Sequence, residues 1–246
     1  MSGYVIGVDL GGTKIATAIA DEQGRILHRV IRPTGAEGGV NKVLGAIGDT
    51  IRESLDKVGA SREEVIGIGV GSPGPLDPDR GVIVFAPNLK WHNVPIKARL
   101  EEEFGIPVSL ENDANLAALG ETMFGAGRGA RNMVYITVST GIGGGIIING
   151  EIYKGSSSVA GEVGHMTILP DGPRCGCGNY GCLEALASGT AIARMARERI
   201  NEGATTIIAD LAGGGEATSE HVGRAAAMGD KVALEIVERA AAYLGI

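Results

Sequence analysis

The sequence predicts an α/β protein built as two related lobes with a cleft between them. Short apolar strands alternate with amphipathic helices through the first half of the chain, the pattern of an α/β fold. A plan of strand, glycine loop, strand, turn, strand occurs twice, at residues 4–31 and again at 133–153, and weak internal duplication of this kind points to paired lobes. The 246 residues, 44% of them hydrophobic, suffice for one large domain or two ordinary ones.

The elements follow in order. Tyr4 to Val8, Lys14 to Ala20 and Arg25 to Ile31 are short strands separated by Asp9-Leu-Gly-Gly-Thr13 and Asp21-Glu-Gln-Gly24, the spacing of an antiparallel meander. Val40, Val43, Leu44, Ile47, Ile51, Leu55 and Val58 share one helical face, and Gly59 ends that helix. Val65 to Val70 and Val82 to Phe85 read as strands. Pro95 to Phe104 is a short helix, with Asn93 or Val94 expected as its cap. Val108 to Leu110 is a strand ending at Glu111-Asn112-Asp113, where a helix takes over through Phe124.

The second round begins with a strand from Met133 to Val138. Ser139 to Gly145 is a glycine loop, Ile146 to Ile148 a strand, Asn149-Gly150 a hairpin turn, and Glu151 to Tyr153 the returning strand. From Glu184 the chain is helical, broken at Gly189, Gly203 and Gly213-Gly-Gly215, with Ile236, Val237, Ala240 and Leu244 expected on one face of the last helix. The lobe boundary is expected near the helix after Asp113. The lobes are then 1–114, with the first loop and the base and sugar residues, and 115–246, with the second loop and a metal site. The last helix stops at Ile246 in mid-pattern, so the second lobe is expected to be cut short or its end covered by a partner.

Composition narrows the function. A net charge of -7 argues against nucleic acid as a main partner, since neutralising phosphates takes clustered Lys and Arg. No apolar run reaches membrane-spanning length and no basic leader precedes an apolar stretch, so no membrane partner is expected, while three clustered cysteines fit a metal protein of the reducing cytoplasm. Glycine is the outlier, at 41 residues against a usual share of about 7%. Without a collagen period this implies many tight turns and close backbone approaches.

All three cysteines lie between Cys175 and Cys182, with His165 ten residues before them. Three thiolates and an imidazole are a complete tetrahedral zinc set, and three cysteines interleaved with Gly176, Gly178 and Gly181 cannot form a core strand or helix. With four protein ligands, His165, Cys175, Cys177 and Cys182, such a site is closed and structural. Glu162 and Glu184 bracket the segment, and the metal would fix them and His165 around one pocket. His28, His92 and His221 have no such companions and are expected at the surface.

Neither glycine loop is a Walker A sequence. Gly69-Val-Gly71-Ser-Pro-Gly74 and Gly125-Ala-Gly127-Arg-Gly-Ala130 match a dinucleotide fingerprint only in their glycines. The first runs into Pro73 and Pro75 and the second follows a helix. The two strand-to-strand loops instead expose several backbone N–H groups, the arrangement that binds anions. Asp9 can hold Mg²⁺ through water, and Thr13 or Thr140 can donate to phosphate oxygens. Asp113 stands at a strand-to-helix junction. Asp is a common helix cap, but the crowding of Glu111, Asn112, Asp113 and Asn115 also suits a base that takes a hydroxyl proton, and a helix N-terminus would keep its carboxylate ionised. Asn88, in a loop after an apolar strand, is a second polar candidate.

Together these residues resemble the ROK family of sugar kinases and sugar-responsive repressors over essentially the whole chain. The resemblance rests on Asp9-Leu-Gly-Gly-Thr-Lys14, Glu111-Asn-Asp-Ala-Asn115, Ser139 to Gly145, Glu162-Val-Gly-His165 and Cys175 to Glu184. Pro73-Gly-Pro75, Ala86-Pro-Asn-Leu89 and Trp91 bring the chain nearest the family's bacterial glucokinases. It implies an actin-like ATPase fold, two lobes of ribonuclease-H type, and phosphorylation of the 6-hydroxyl of glucose by ATP and Mg²⁺. Asp113 would be the base. Gly71, Ser72, Asn88, Asn112, Asp113, Glu162, His165 and Glu184 would contact the sugar. Asp9, Gly11, Gly12, Thr13, Lys14, Thr140, Gly141, Ile142 and Gly143 would hold the phosphates, with zinc at His165 and the three cysteines. A homodimer or homotetramer is expected. Family members continue beyond the point matching Ile246, so the resemblance implies a nearly complete sugar site and a partial nucleotide site. Another hexose or an N-acetylated amino sugar as substrate, polyphosphate as donor, and a sugar-sensing repressor lacking its DNA-binding domain are the alternative readings.

Overall fold

The computed structural model describes residues 3–246 and opens with the expected meander. β1 (Tyr4–Leu10), β2 (Lys14–Asp21) and β3 (Ile26–Pro33) pair antiparallel, with Asp9 opposite Ala16 and Ala18 opposite Arg29. The β2–β3 turn is held by Asp21, whose Oδ1 accepts from the Gln23 and Arg25 N–H groups. α1 (Gly39–Val58) buries Val43, Leu44, Ile47, Ile51 and Leu55. Gly59, at φ 68°, ends it with N–H bonds back to the last turn, as a left-handed cap does.

β4 (Val65–Ser72) returns to the sheet. β5 (Leu76–Asp77), β6 (Val82–Ala86) and β7 (Trp91–Val94) then form a small antiparallel sheet. β5 and β7 are additions to the predicted elements. Asn93 and Val94 belong to β7, with Val94 opposite Ile83, so neither caps α2 (Ile96–Phe104); Pro95 occupies that position without a side-chain bond. β8 (Val108–Asn112) and α3 (Asp113–Phe124) complete the run.

The main sheet has the order β3-β2-β1-β4-β8, with β1, β4 and β8 parallel. The three parallel strands therefore end side by side: Asp9 is opposite Gly71, Gly71 opposite Glu111, and Ser72 opposite Asn112. Residues at such carboxyl ends are where α/β sheets place ligands. α1 packs on β2 and β3, and α2 packs on β8. The core includes Ile6, Leu10, Ile15, Ile47, Ile51 and the fully buried Trp91.

β9 (Met133–Val138), β10 (Ile142–Ile148) and β11 (Glu151–Ile152) follow. Asn149 and Gly150 have φ of 56° and 87°, as a tight hairpin turn requires, and Ile147 pairs with Ile152. β10 starts four residues earlier than predicted, so Gly143, Gly144 and Gly145 are strand residues rather than loop. The reason is close packing: a Cβ on Gly144 would meet Val163 Cγ2 at 2.6 Å and the Gly161 oxygen at 2.9 Å.

The fold divides into two compact units, residues up to Met133 with Ile146–Val159, and Val134–Gly145 with Ala160–Ile246. The boundary expected after residue 114 falls inside the first unit, because α3 stays with it and receives β11. The second unit is mostly helical: α4 (Leu183–Ala187), α5 (Gly189–Asn201), α6 (Ile208–Leu211), α7 (Ser219–Ala227) and α8 (Lys231–Leu244). Its core joins Leu183, Met195, Ala196, Ile208 and Val222 to Val232, Ala233, Ile236 and Ala240 of α8. Val237 and Leu244, expected on that face, are exposed. No helix among the described residues is long and apolar enough to cross a membrane.

Candidate active site

In the first unit the β1–β2 loop is closed by the Gly11 N–H donating to the Lys14 oxygen at 2.9 Å. Thr34 braces it from β3's end, its Oγ1 donating to the Gly11 oxygen at 2.7 Å. Asp9, Thr13 and Lys14 are exposed around this loop. Gly12 is the tight point: a Cβ there would lie 2.7 Å from the Asn88 Cβ. The fold thus brings Asn88, on a 3-10 turn over Pro87–Leu89, against the first glycine loop.

The β8–α3 corner carries Asp113. The cap of α3 is Asn112, whose Oδ1 accepts from the Ala114 and Asn115 N–H groups at 2.9 and 3.1 Å. Asp113 is the first helical residue, and its Oδ1 accepts from Ala114 at 2.8 Å. With its oxygen committed to the cap, Asn112 has only its amide nitrogen to offer a ligand. Gly71 lies beneath the corner: a Cβ there would stand 3.7 Å from the Asp113 Cα. Ser72 is buried, and its hydroxyl donates to the Pro73 oxygen.

Asp113 presents an exposed surface, yet the protein around its carboxyl group strips enough hydration to push its pKa up; the Ala114 N–H opposes this and the Asp9 charge adds to it. A helix N-terminus by itself lowers a carboxyl pKa, so the net rise reflects the lost hydration, and it makes the carboxylate a better proton acceptor. Glu111 shifts the other way. Burial pushes its pKa up, but Lys154, the Asn112 N–H and the Asn115 amide outweigh it and hold the carboxyl below the usual range.

In the second unit, the loop between β9 and β10 is closed by the Ser139 N–H donating to the Gly141 oxygen at 2.9 Å. The start of α5 supports it: the Gly189 N–H donates to the Ser139 oxygen, and the Thr190 hydroxyl to the Thr140 oxygen at 2.7 Å. Glu184 reaches the same loop, its Oε2 accepting from the Ile142 N–H at 2.9 Å. A Cβ on Gly141 would collide with that oxygen at 2.3 Å. The Ile142 N–H is thus engaged by Glu184, while Thr140 is exposed.

Glu162 caps and His165 ends a 3-10 turn, Val163–His165, packed on β10 so closely that a Cβ on Gly164 would lie 2.0 Å from the Ile142 oxygen. His165 turns Nδ1 toward Cys175 Sγ, at 3.7 Å, and Nε2 toward Glu162 Oε2, at 3.8 Å. The donor atoms of His165, Cys175, Cys177 and Cys182 all lie within 4.8 Å of one another. Cys177 and Cys182 Sγ are 3.7 Å apart, which fits the ~3.8 Å edge of a tetrahedron with Zn–S near ~2.3 Å. Burial pushes the Cys182 thiol up to about 12, with the neighbouring thiols adding, and burial raises Cys175 too. Cys177 shifts down, chiefly through the Asn179 N–H. A dication bound there would let all three ionise together. Gly181, at φ 62°, makes the final turn, where any Cβ would strike the Leu169 oxygen.

Among the remaining histidines, His28 departs from the expected surface position. His28 has a buried Nε2 with no hydrogen-bond partner, and His221 caps α7 by accepting from the Thr218 N–H. His92 is exposed and lies beside Phe85. Sequence reasoning missed Thr34, Thr190 and Lys154, which pairs with Glu111 at 2.5 Å. None of these lies in a recognisable motif, so only the fold reveals them.

The ROK family model matches residues 5–246. A glucokinase from Thermotoga maritima is 44% identical over 237 residues, covering 96% of this chain and 73% of that protein. The ROK hexokinase structure from Thermus thermophilus superposes with a TM-score of 0.83 at 41% identity, over 98% of this chain and 75% of that one. A ROK family glucokinase from Streptomyces griseus, solved in complex with glucose and AMPPNP, gives a TM-score of 0.82 at 40% identity, over 99% and 77%.

Proposed function

We propose that this chain, which belongs to the ROK family, transfers the γ-phosphoryl group of ATP to glucose and yields glucose 6-phosphate. Its fold is the actin-like ATPase fold of the ROK hexokinases. The observation that carries the proposal is the β8–α3 corner: a carboxylate with raised proton affinity, Asp113, stands at the carboxyl ends of parallel strands in the same sheet as the first glycine loop and Asp9.

In this reading Asp113 takes the proton from the 6-hydroxyl of the sugar as its oxygen forms a bond to the γ-phosphorus. The bond from that phosphorus to the β,γ-bridging oxygen breaks, and ADP leaves with the electron pair. Little covalent work falls to the protein, so catalysis is positioning and charge stabilisation. Gly11, Gly12, Thr13, Lys14, Thr140, Gly141 and Gly143 are assigned to the phosphates, and Asp9 to the Mg²⁺ that accompanies ATP. Gly71 and Ser72 through their backbone, with Asn88, Asn112, Glu162, His165 and Glu184, are assigned to the sugar. Zinc at His165, Cys175, Cys177 and Cys182 would neutralise the thiolates and hold their loop in place.

A coupled assay across glucose, fructose, mannose, N-acetylglucosamine and N-acetylmannosamine, with ATP or polyphosphate as donor, tests the proposal. Glucose with ATP should give the highest kcat/KM. A higher value for another sugar or donor would reassign the substrate, and no turnover with any pair would remove the kinase reading.

A further inference from the structure

We propose that Lys154 is a positioning residue for Asp113: paired with Glu111, it clamps the β8–α3 corner on which the carboxylate stands. The proposal rests on the reading of Asp113 as the base. Lys154 follows β11, whose hairpin belongs to the first unit and packs on α3, so the hairpin brings a cation to the corner.

Glu111 has no oxygen to spare. Its Oε2 faces Lys154 Nζ at 2.5 Å, and its Oε1 accepts from the Asn112 N–H at 3.0 Å and from Asn115 Nδ2 at 3.1 Å. These two asparagines flank Asp113, and the Asn112 side chain in turn caps the first turn of α3. A chain of polar contacts therefore runs from Lys154 through Glu111 to the N–H groups on either side of Asp113. The Glu111 side chain is 12% exposed and that of Lys154 39%. The anion is the buried partner, and a buried charge left without its counter-ion is strongly destabilising, whereas an exposed pair contributes little. Without Lys154, burial favours the neutral form of Glu111, which turns an acceptor shared by two asparagines into a group that must also place a proton.

The test compares Lys154→Met and Lys154→Arg with the parent and with Asp113→Asn. Amide hydrogen exchange at Ala114 and Asn115 should accelerate in Lys154→Met, while exchange in α1 stays as in the parent. Turnover should fall by about ten- to a hundred-fold, the scale of a misplaced reacting group, with KM for ATP within about twofold. Lys154→Arg should recover most of both. In a Glu111→Gln background, which has no anion to compensate, Lys154→Met should add little further loss. Unchanged exchange at Ala114 and Asn115 overturns the clamp whatever the activity, and faster exchange with parental kcat overturns its part in positioning. A fully active Asp113→Asn protein removes the base reading instead, and the exchange result still judges the clamp.

Discussion

The Glu184 carboxylate accepts a hydrogen bond from the Ile142 backbone N–H at 2.9 Å. Its other oxygen lies 4.0 Å from Cys175 Sγ. One side chain thus links the second glycine loop to the cysteine cluster. Ile142 is buried, so Glu184→Ala leaves a donor without a partner, which costs about 1–3 kcal/mol. Denaturant unfolding of the zinc-loaded protein should show that loss. Unchanged stability would restrict Glu184 to ligand contact.

Asp113→Asn should nearly abolish glucose phosphorylation while glucose affinity stays within about tenfold, because the amide still hydrogen-bonds but cannot take a proton. Steady-state kinetics and calorimetric titration with glucose read the two effects separately. Equal losses in both would make Asp113 a binding group rather than the base.

The raised pKa of Asp113 has a sign in stability as well. Below the ordinary aspartate value of ~3.9 the group is protonated folded and unfolded alike. As pH rises through the folded value, the folded state holds a charge that the unfolded chain carries at lower cost, and stability falls. Asp113→Asn should therefore melt higher than the parent at pH 7, with the advantage vanishing near pH ~3. A lower melting temperature at pH 7 would contradict the direction of the shift.

Cys177 is the exposed cysteine of the His165 cluster, so Cys177→Ala removes the proposed zinc ligand without opening a core cavity. Metal content and glucose affinity should fall together, and an excess of chelator should reproduce this in the parent. Loss of metal with parental glucose affinity would show that zinc does not organise Glu162 and His165.

Much of the site was legible because its signals are local. The Asn149-Gly150 turn, the α1 stripe ending at Gly59, and the histidine and three cysteines at ligand spacing depend on neighbours along the chain, and the structure places them as expected. Asp113 was legible as a strand-to-helix residue, but whether it or Asn112 capped α3 was not, since both residue types cap helices equally well.

The sequence by itself determined the α/β alternation, the two glycine loops and the clustering of one histidine with three cysteines, because periodicity, turn conformation and residue spacing act over a few residues. Only the tertiary structure decided that Gly12 lies against Asn88, that Gly144 is a strand residue under Val163, and that Lys154 neutralises Glu111 beside Asp113. These depend on strand register and on how elements pack. Sterics and charge pairing act through space, and a chain read in order does not show which distant residues will share it.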